Sequence, residues 1–323
     1  MIDPHPGPLP GERERFSPPP LGGGRGRVSP GQRLWRVFSL IRYRFFLFAG
    51  LLPYLLGAAW AFSLAGRFDA AAFWSGLGGV VLSVIGVEAF NEYFDARMGT
   101  DRVFNPADVP PIARAVFWIG TTAFAAALAV GVFLALHVGW PVIVFALLGG
   151  TAAIFYEAPP IRWVYRGLGE LMIALSYGPW MVMGSLYLHT RTLPLEALAA
   201  SFVPAAFIMA LAVVNAVPDF HQDRLVGKRN LVVRLGRERG VYLYLGLAAA
   251  AFAIVVAGVA AGIFPLASLA ALLAVPLVVA SARCALAHFA SPRSFLPAMR
   301  HMVLAYLLGT GAFTLAILAQ AWR

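Results

Sequence analysis

Apolar residues are gathered along this 323-residue chain into long runs with short polar breaks, from near residue 45 to the end. About 20 apolar residues in helical conformation cross a bilayer core. The runs predict helices at roughly 45–65, 70–94, 114–136, 140–157, 166–189, 194–218, 241–262, 264–288 and 300–320. The run at 140–157 is the shortest and carries Gly149 and Gly150. The fold class that follows is an all-α membrane protein of about nine transmembrane helices.

Residues 1–32 break the pattern. They are rich in Pro, Gly and Arg, as in Pro18-Pro19-Pro20 and Gly22-Gly23-Gly24-Arg25, and show no apolar periodicity. Such a segment cannot bury enough surface to offset its ordering entropy, so disorder is expected for it. It has no apolar stretch of the kind a signal peptide needs. One transmembrane domain is expected over 33–323.

Composition agrees with a membrane class. Hydrophobic residues make up 60% of the chain, charged residues only 12%, and mean hydropathy is +0.76; soluble domains are about one quarter charged. The net charge of +10 is compatible with nucleic acid, an anionic membrane surface or an anionic substrate. No nucleic-acid module is recognisable, and the basic residues sit in the short breaks. With the N-terminus cytoplasmic, 22 of the 25 Lys and Arg residues fall on the inner side, leaving Arg67, Arg191 and Arg323 outside. That asymmetry obeys the positive-inside rule. Cys284, the single cysteine, lies in an apolar run and reads as a small core residue.

The few acids are concentrated at two places. The first is Glu88-x-x-Asn91-Glu92-x-x-Asp95, followed by Gly99 and Asp101; the second is Asn215-x-x-x-Asp219-x-x-x-Asp223. Each stands at the inner end of an even-numbered span and each contains Asn-x-x-x-Asp, so the chain reads as two related halves. Residues four apart share a helix face, which aligns Asn91 with Asp95, and Asn215 with Asp219 and Asp223. Like charges stacked this way repel and call for a cation. Hard oxygen ligands suit Mg²⁺, which commonly takes one or two carboxylates together with substrate phosphates. Lys228, the only lysine, and Arg224, Arg229 and Arg234 follow the second cluster. They read either as inner-loop charge or as groups that neutralise a departing phosphate.

These strings resemble the motifs of the UbiA superfamily of intramembrane prenyltransferases. Asn91 to Asp101 is similar to the family's first motif, in the form of its menaquinone branch, which prenylates 1,4-dihydroxy-2-naphthoate. Asn215 to Gly236 is similar to the second, with the trailing Gly-Lys-Arg-x-Leu-Val-Val-Arg-Leu-Gly. Tyr156-Glu-Ala-Pro-Pro-Ile-Arg162 and Arg166-Gly-Leu-Gly-Glu170 are similar to its central segment. The resemblance implies helices around a central cavity with lipid-side entry for a polyprenyl tail. It implies Mg²⁺ on Asp95, Asp101, Asp219 and Asp223, and diphosphate contacts from Asn91, Asn215, Lys228 and Arg229. Tyr156, Arg162 and Lys228 carry over as catalytic groups, Tyr156 offering a ring face to an allylic cation.

Three features depart from the family pattern. Glu92 stands in place of Asp, Asn230 in place of Thr, and the loop from Arg102 to Ile112 lacks an Arg-Pro-hydrophobic-x-x-Gly string, which bears on the acceptor. Transfer of a polyprenyl group from its diphosphate to a dihydroxynaphthoate-like aromatic acceptor is the function expected. Other acceptors are 4-hydroxybenzoate, homogentisate, a chlorophyllide or porphyrin alcohol, and a glyceryl phosphate. A secondary transporter would also show intramembrane acids and two halves, with Glu88 more important than Asp95. Glu88 reads either as functional or as a packing residue, Glu170 as an acid at a helix N-terminus, and His221 as loop surface.

Overall fold

The computed structural model of the chain describes residues 43–66, 68–98 and 114–322. The segment 1–32 and Asp101 lie outside the described residues. Every regular element among the described residues is helical. In chain order they begin with α1 (Tyr43–Ala65), α2 (Ala70–Met98), α3 (Arg114–His137), α4 (Pro141–Ile154) and the short α5 (Trp163–Arg166). The next span joins α6 (Gly169–Leu175), a π turn at Ser176–Trp180 and α7 (Met181–Thr190). Then come α8 (Leu195–Ala216), two short helices α9 (Phe220–Leu225) and α10 (Leu231–Leu235), and α11 (Arg237–Ala260). The chain closes with a 3₁₀ stretch at Leu266–Ala274 that runs into α12 (Val275–His288), and with α13 (Pro292–Ala319).

Seven of the described helices are long and apolar enough to cross a membrane, with shorter apolar helices at Ala49–Ala65 and Pro141–Ile154. Helices stand over the expected runs, but among the described residues seven of them, not nine, have the length and hydropathy of a membrane span. The last begins earlier than its apolar run because Pro292, at the first helical position, needs no N–H partner there.

Packing centres on α8. Ala197, Ala200, Pro204, Phe207, Leu211 and Val214, spaced three or four apart, are buried against α1, α11 and α13. Phe207 meets Phe252 of α11 edge to face, ring centroids 5.3 Å apart. Lipid tails are as apolar as these side chains, so close fit and interhelical hydrogen bonds carry the association. Ser185 Oγ of α7 donates to the Tyr54 carbonyl at 2.7 Å, and Tyr306 Oη of α13 donates to the Ala49 carbonyl at 2.5 Å. Gly120 of α3 faces Phe90 of α2 so closely that a Cβ would overlap the ring. α2 carries Asn91 and Asp95 without a break, whereas α8 ends at Ala216, inside the second pattern. Asp219 therefore falls in the turn and Asp223 on α9, and the one continuous helix face expected for Asn215, Asp219 and Asp223 is not formed.

Candidate active site

A cluster of polar side chains is assembled from four parts of the chain. Asp95 stands on the last turns of α2, and Tyr156 and Glu157 follow α4. Asp223 lies on α9, and the loop Gly227–Asn230 joins α9 to α10. Gly227 takes a left-handed φ of 81°, which turns the chain so that Lys228 points inward.

Lys228 is the hub. Its Nζ lies 2.8 Å from Asp95 Oδ1 and 2.7 Å from Glu157 Oε1, with only 9% of the side chain exposed. Burial pulls the ammonium down, but Glu157 and then Asp95 more than reverse this, so its proton is held more tightly than in water. Burial, joined by the Asp95 charge, pushes Glu157 up to about 8 against the pull of Lys228. Breaking such a pair on one side leaves a charge stranded, which costs roughly 3–5 kcal/mol.

The rest of the loop is held by two more acids. Asn230 Nδ2 donates to Asp223 Oδ2 at 2.6 Å, while Asn230 Oδ1 accepts the Val233 N–H at 2.8 Å and so caps α10. Glu170 Oε1 accepts the Leu231 N–H at 2.8 Å. Burial pushes the Asp223 carboxyl up to about 6; Lys228 and Asn230 oppose this, while the Asp219 and Asp95 charges add to it. The two acid motifs therefore feel each other's charge.

Beside this polar end lies a cavity of about 510 Å³, lined among others by Asn91, Tyr156, Gly150, Leu128, Tyr54 and Leu188. Asn91 is one turn from Asp95 on the same face of α2. Every lining residue falls between Tyr54 and Leu188, so the cavity is walled by α1 to α4 and by the span that joins α6 to α7. From Asn91 to Gly76, both lining it, α2 rises about 22 Å. The walls are almost wholly apolar, as for a hydrocarbon chain.

Of the residues singled out in the sequence, the structure brings Asp95, Asp223 and Lys228 together, with Asn91 and Tyr156 at the cavity. Asn215 is half-buried on the last turn of α8, and Asp219 is exposed just before α9. Arg162, with φ 55°, stacks its guanidinium over Tyr165 at 5.2 Å. The Arg229 side chain is exposed, while its backbone N–H donates to the Val164 carbonyl at 3.2 Å. Arg234 braces the loops, donating to the Arg229 carbonyl at 2.9 Å and the Arg166 carbonyl at 2.5 Å. Gly167 lies against that guanidinium, where a Cβ would clash. Glu88 is buried and His221 exposed. The sequence reading did not single out Glu157; its signal was that it is one of 15 acids and follows Tyr156 directly.

The donor set fits a hard divalent ion bound jointly with phosphate. Asp95 and Asp223 supply carboxylate oxygen, and mutual repulsion with Asp219 leaves negative charge that a cation would relieve. Among the described residues no three Asp, Glu, His or Cys side chains form a group that could hold a metal ion by themselves. Mg²⁺ commonly completes its shell with substrate phosphates and water.

The UbiA prenyltransferase family profile matches residues 50–306. The chain belongs to that family. It is therefore an intramembrane prenyltransferase, an enzyme transferring alkyl groups other than methyl. The 1,4-dihydroxy-2-naphthoate octaprenyltransferase of Bacillus subtilis is 24% identical over 250 residues, covering 74% of this chain and 79% of the relative. The protein of the same name from Mycobacterium tuberculosis is 30% identical over 198 residues, covering 58% and 67%. Among solved structures, the apo UbiA homologue of Aeropyrum pernix superposes with a TM-score of 0.64 at 17% identity, covering 85% of this chain and 99% of that one. The Archaeoglobus fulgidus homologue bound to GPP and Mg²⁺ gives 0.56 at 15%, covering 86% and 99%. These likenesses place the fold: a multi-pass helical membrane protein.

Proposed function

We propose that this prenyltransferase joins a polyprenyl group, taken from its diphosphate, to a dihydroxynaphthoate-class aromatic ring, with Mg²⁺ as cofactor. The observation that carries the reading is Lys228, held between Asp95 and Glu157 at the polar end of an apolar cavity that also reaches Asn91 and Tyr156. A donor with a charged head and a hydrocarbon tail matches that combination. The acceptor class is supported by the names of the Bacillus subtilis and Mycobacterium tuberculosis relatives.

Asp95, Asp219 and Asp223, with Asp101 beyond the described residues, would hold Mg²⁺, which when bound neutralises the diphosphate and makes it a better leaving group. Asn91, Asn215, Lys228 and Arg229 bind the phosphate oxygens. Lys228 balances the charge that grows on the bridging oxygen as the allylic C–O bond breaks. The Tyr156 ring, at the cavity wall, faces the allylic cation with its π electrons. The cavity excludes water, which would otherwise capture that cation. Diphosphate leaves with the electron pair of the C–O bond, and an acceptor ring carbon bonds to the cation. The ring regains aromaticity by losing the proton of that carbon, or carbon dioxide where the carbon carries a carboxylate. Arg162, in the segment that resembles the family's acceptor-side motif, would offer its cationic group to a carboxylate-bearing ring.

The protein is expected in the cell (inner or plasma) membrane with its N-terminus and both motif loops cytoplasmic, because the basic residues crowd those loops. In a Cys284→Ser background, Leu225→Cys should react with an impermeant maleimide from the cytoplasmic face; reaction from the outer face alone would reverse the orientation. The reaction itself is tested by incubating membranes with Mg²⁺, a polyprenyl diphosphate and a panel of aromatic acceptors, then weighing the products. A prenylated dihydroxynaphthoate product is expected. Product only with another acceptor would replace the acceptor class, and no prenylated product at all would sink the reading.

A further inference from the structure

We infer that Glu157 is a positioning residue of the donor site: it holds Lys228 in place when Asp95 is drawn to the metal–diphosphate. The inference rests on the function proposed above, but it concerns a side chain to which that reading gives no role.

The geometry makes the case. Lys228 is the only lysine of the chain, and its ammonium has two ion-pair partners on opposite stretches of sequence, Asp95 and Glu157. These two are not equivalent. Asp95 stands on the α2 face that also carries Asn91, its carboxylate is 31% exposed, and it is shared with the motif that addresses the cation. Glu157 is 5% exposed, lies 71 positions before Lys228, and sits next to Tyr156 at the cavity. One carboxylate oxygen cannot serve Lys228 and a divalent ion equally well, because the ion's stronger field draws the lone pairs. Once Asp95 turns to the ion, Lys228 keeps one buried carboxyl partner at 2.7 Å, and that partner fixes the direction of the flexible four-carbon stem.

Without Glu157 the ammonium would have to be oriented by the diphosphate itself. A lysine is a compact point charge on a freely rotating stem, so its aim depends on such a partner. The defect would appear where charge develops on the leaving oxygen, in turnover rather than in donor binding. Tyr156 ties the same point to the cavity: the residue aiming the ammonium is the chain neighbour of the ring that meets the reacting carbon. The pair thus sets the lateral position of leaving-group charge relative to the prenyl tail.

The test uses full-length enzyme in membranes, with Glu157→Gln, Glu157→Ala and Glu157→Asp. Turnover per folded protein should fall at least about tenfold in Glu157→Ala and Glu157→Gln, with donor KM within about threefold of wild type. Glu157→Asp, which keeps a carboxyl group, should recover part of the loss. Because Lys228 is the only side-chain amine, its reaction with an amine-directed reagent, read by peptide mass, reports its placement without any need for turnover. In Glu157→Ala that reaction should speed up several-fold, with and without Mg²⁺ and donor. A lost rate with unchanged Lys228 labelling would overturn the inference, as would wild-type turnover in Glu157→Gln or a loss wholly explained by less folded protein. If wild-type membranes prenylate nothing, the proposed function fails, while the labelling comparison still decides whether Glu157 holds Lys228.

Discussion

Asn230 reaches Asp223 with its amide nitrogen at 2.6 Å and the Val233 N–H with its amide oxygen at 2.8 Å. One side chain thus both aims an acid of the second motif and starts helix α10. The amide carries its donor and its acceptor on separate atoms, so Asn230, at a position where the family pattern has Thr, serves both partners at once.

The first prediction separates those two tasks. Asn230→Asp should keep the cap, since a carboxylate accepts the Val233 N–H, but would set a second negative charge against Asp223. Asn230→Ala should lose the cap, at about 1 kcal/mol of stability, together with the orientation of Asp223. Activity should fall about tenfold or more in both, whereas the thermal midpoint should drop chiefly in Asn230→Ala. Full activity in Asn230→Asp would mean that Asp223 is not a ligand of the donor's cation.

The second prediction concerns the metal and ranks the acids. Excess chelator should abolish turnover and added Mg²⁺ should restore it. Asp95→Asn, Asp219→Asn and Asp223→Asn remove charge at constant size and should each cost about a hundredfold in rate, about 3 kcal/mol. Lys228→Met should lower turnover more than donor binding. Glu88→Gln and His221→Ala should cost less than about tenfold. Initial rates normalised to folded protein decide the order. Dead Glu88→Gln alongside active Asp95→Asn and Asp219→Asn would discard the two-motif site.

How much of this was legible beforehand depended on distance along the chain. Apolar run lengths located the spans, and four-residue spacing put Asn91 with Asp95 on one face of α2. Contacts between distant segments left no periodic trace. Glu157 meets Lys228 across 71 positions, and nothing local distinguishes it from an acid at a helix end. Glu170 was expected at a helix N-terminus and stands there, yet its carboxylate serves the backbone of α10. Arg234 has the look of inner-loop charge and instead ties two loops together. The repeated motif suggests symmetric halves, but packing decides where space remains, and the cavity is walled by α1 to α4 and the α6–α7 span without any residue after Leu188.

The third prediction uses that cavity. Gly150 of α4 lines it, and a Cβ added there meets nothing within 4 Å; Gly246 of α11 is equally open but does not line it. Gly150→Phe therefore projects bulk into the cavity without forcing the backbone. Turnover with a long polyprenyl diphosphate should fall about tenfold or more relative to turnover with a short allylic diphosphate, a difference of about 1.4 kcal/mol. Gly246→Phe should leave the ratio unchanged. An unaltered ratio in Gly150→Phe would mean that the tail lies elsewhere.

The last prediction concerns acidity in the metal-free protein. Burial raises both Asp223, to about 6, and Glu157, to about 8. An acid whose folded pKa exceeds its unfolded one binds its proton more tightly in the fold. Stability is then greatest while both states are protonated and falls as pH rises from the unfolded to the folded value. Lys228 has the opposite sense: its raised affinity stabilises the fold below the usual lysine range, and is lost only in strong alkali. Between about pH 4 and pH 8 the two acids therefore set the slope, both of them up to about pH 6 and Glu157 alone above it. The thermal midpoint in detergent with chelator should decline across that range. Asp223→Asn should lessen the fall only below about pH 6, whereas Glu157→Gln should lessen it throughout and remove it above about pH 6. Added Mg²⁺ should raise the midpoint more at the alkaline end, because a metal competes with protons for carboxylate oxygen. A metal-free midpoint that climbs steadily from about pH 5 to pH 8 would show that these carboxyls are ionised at little cost, against the burial from which their role is argued.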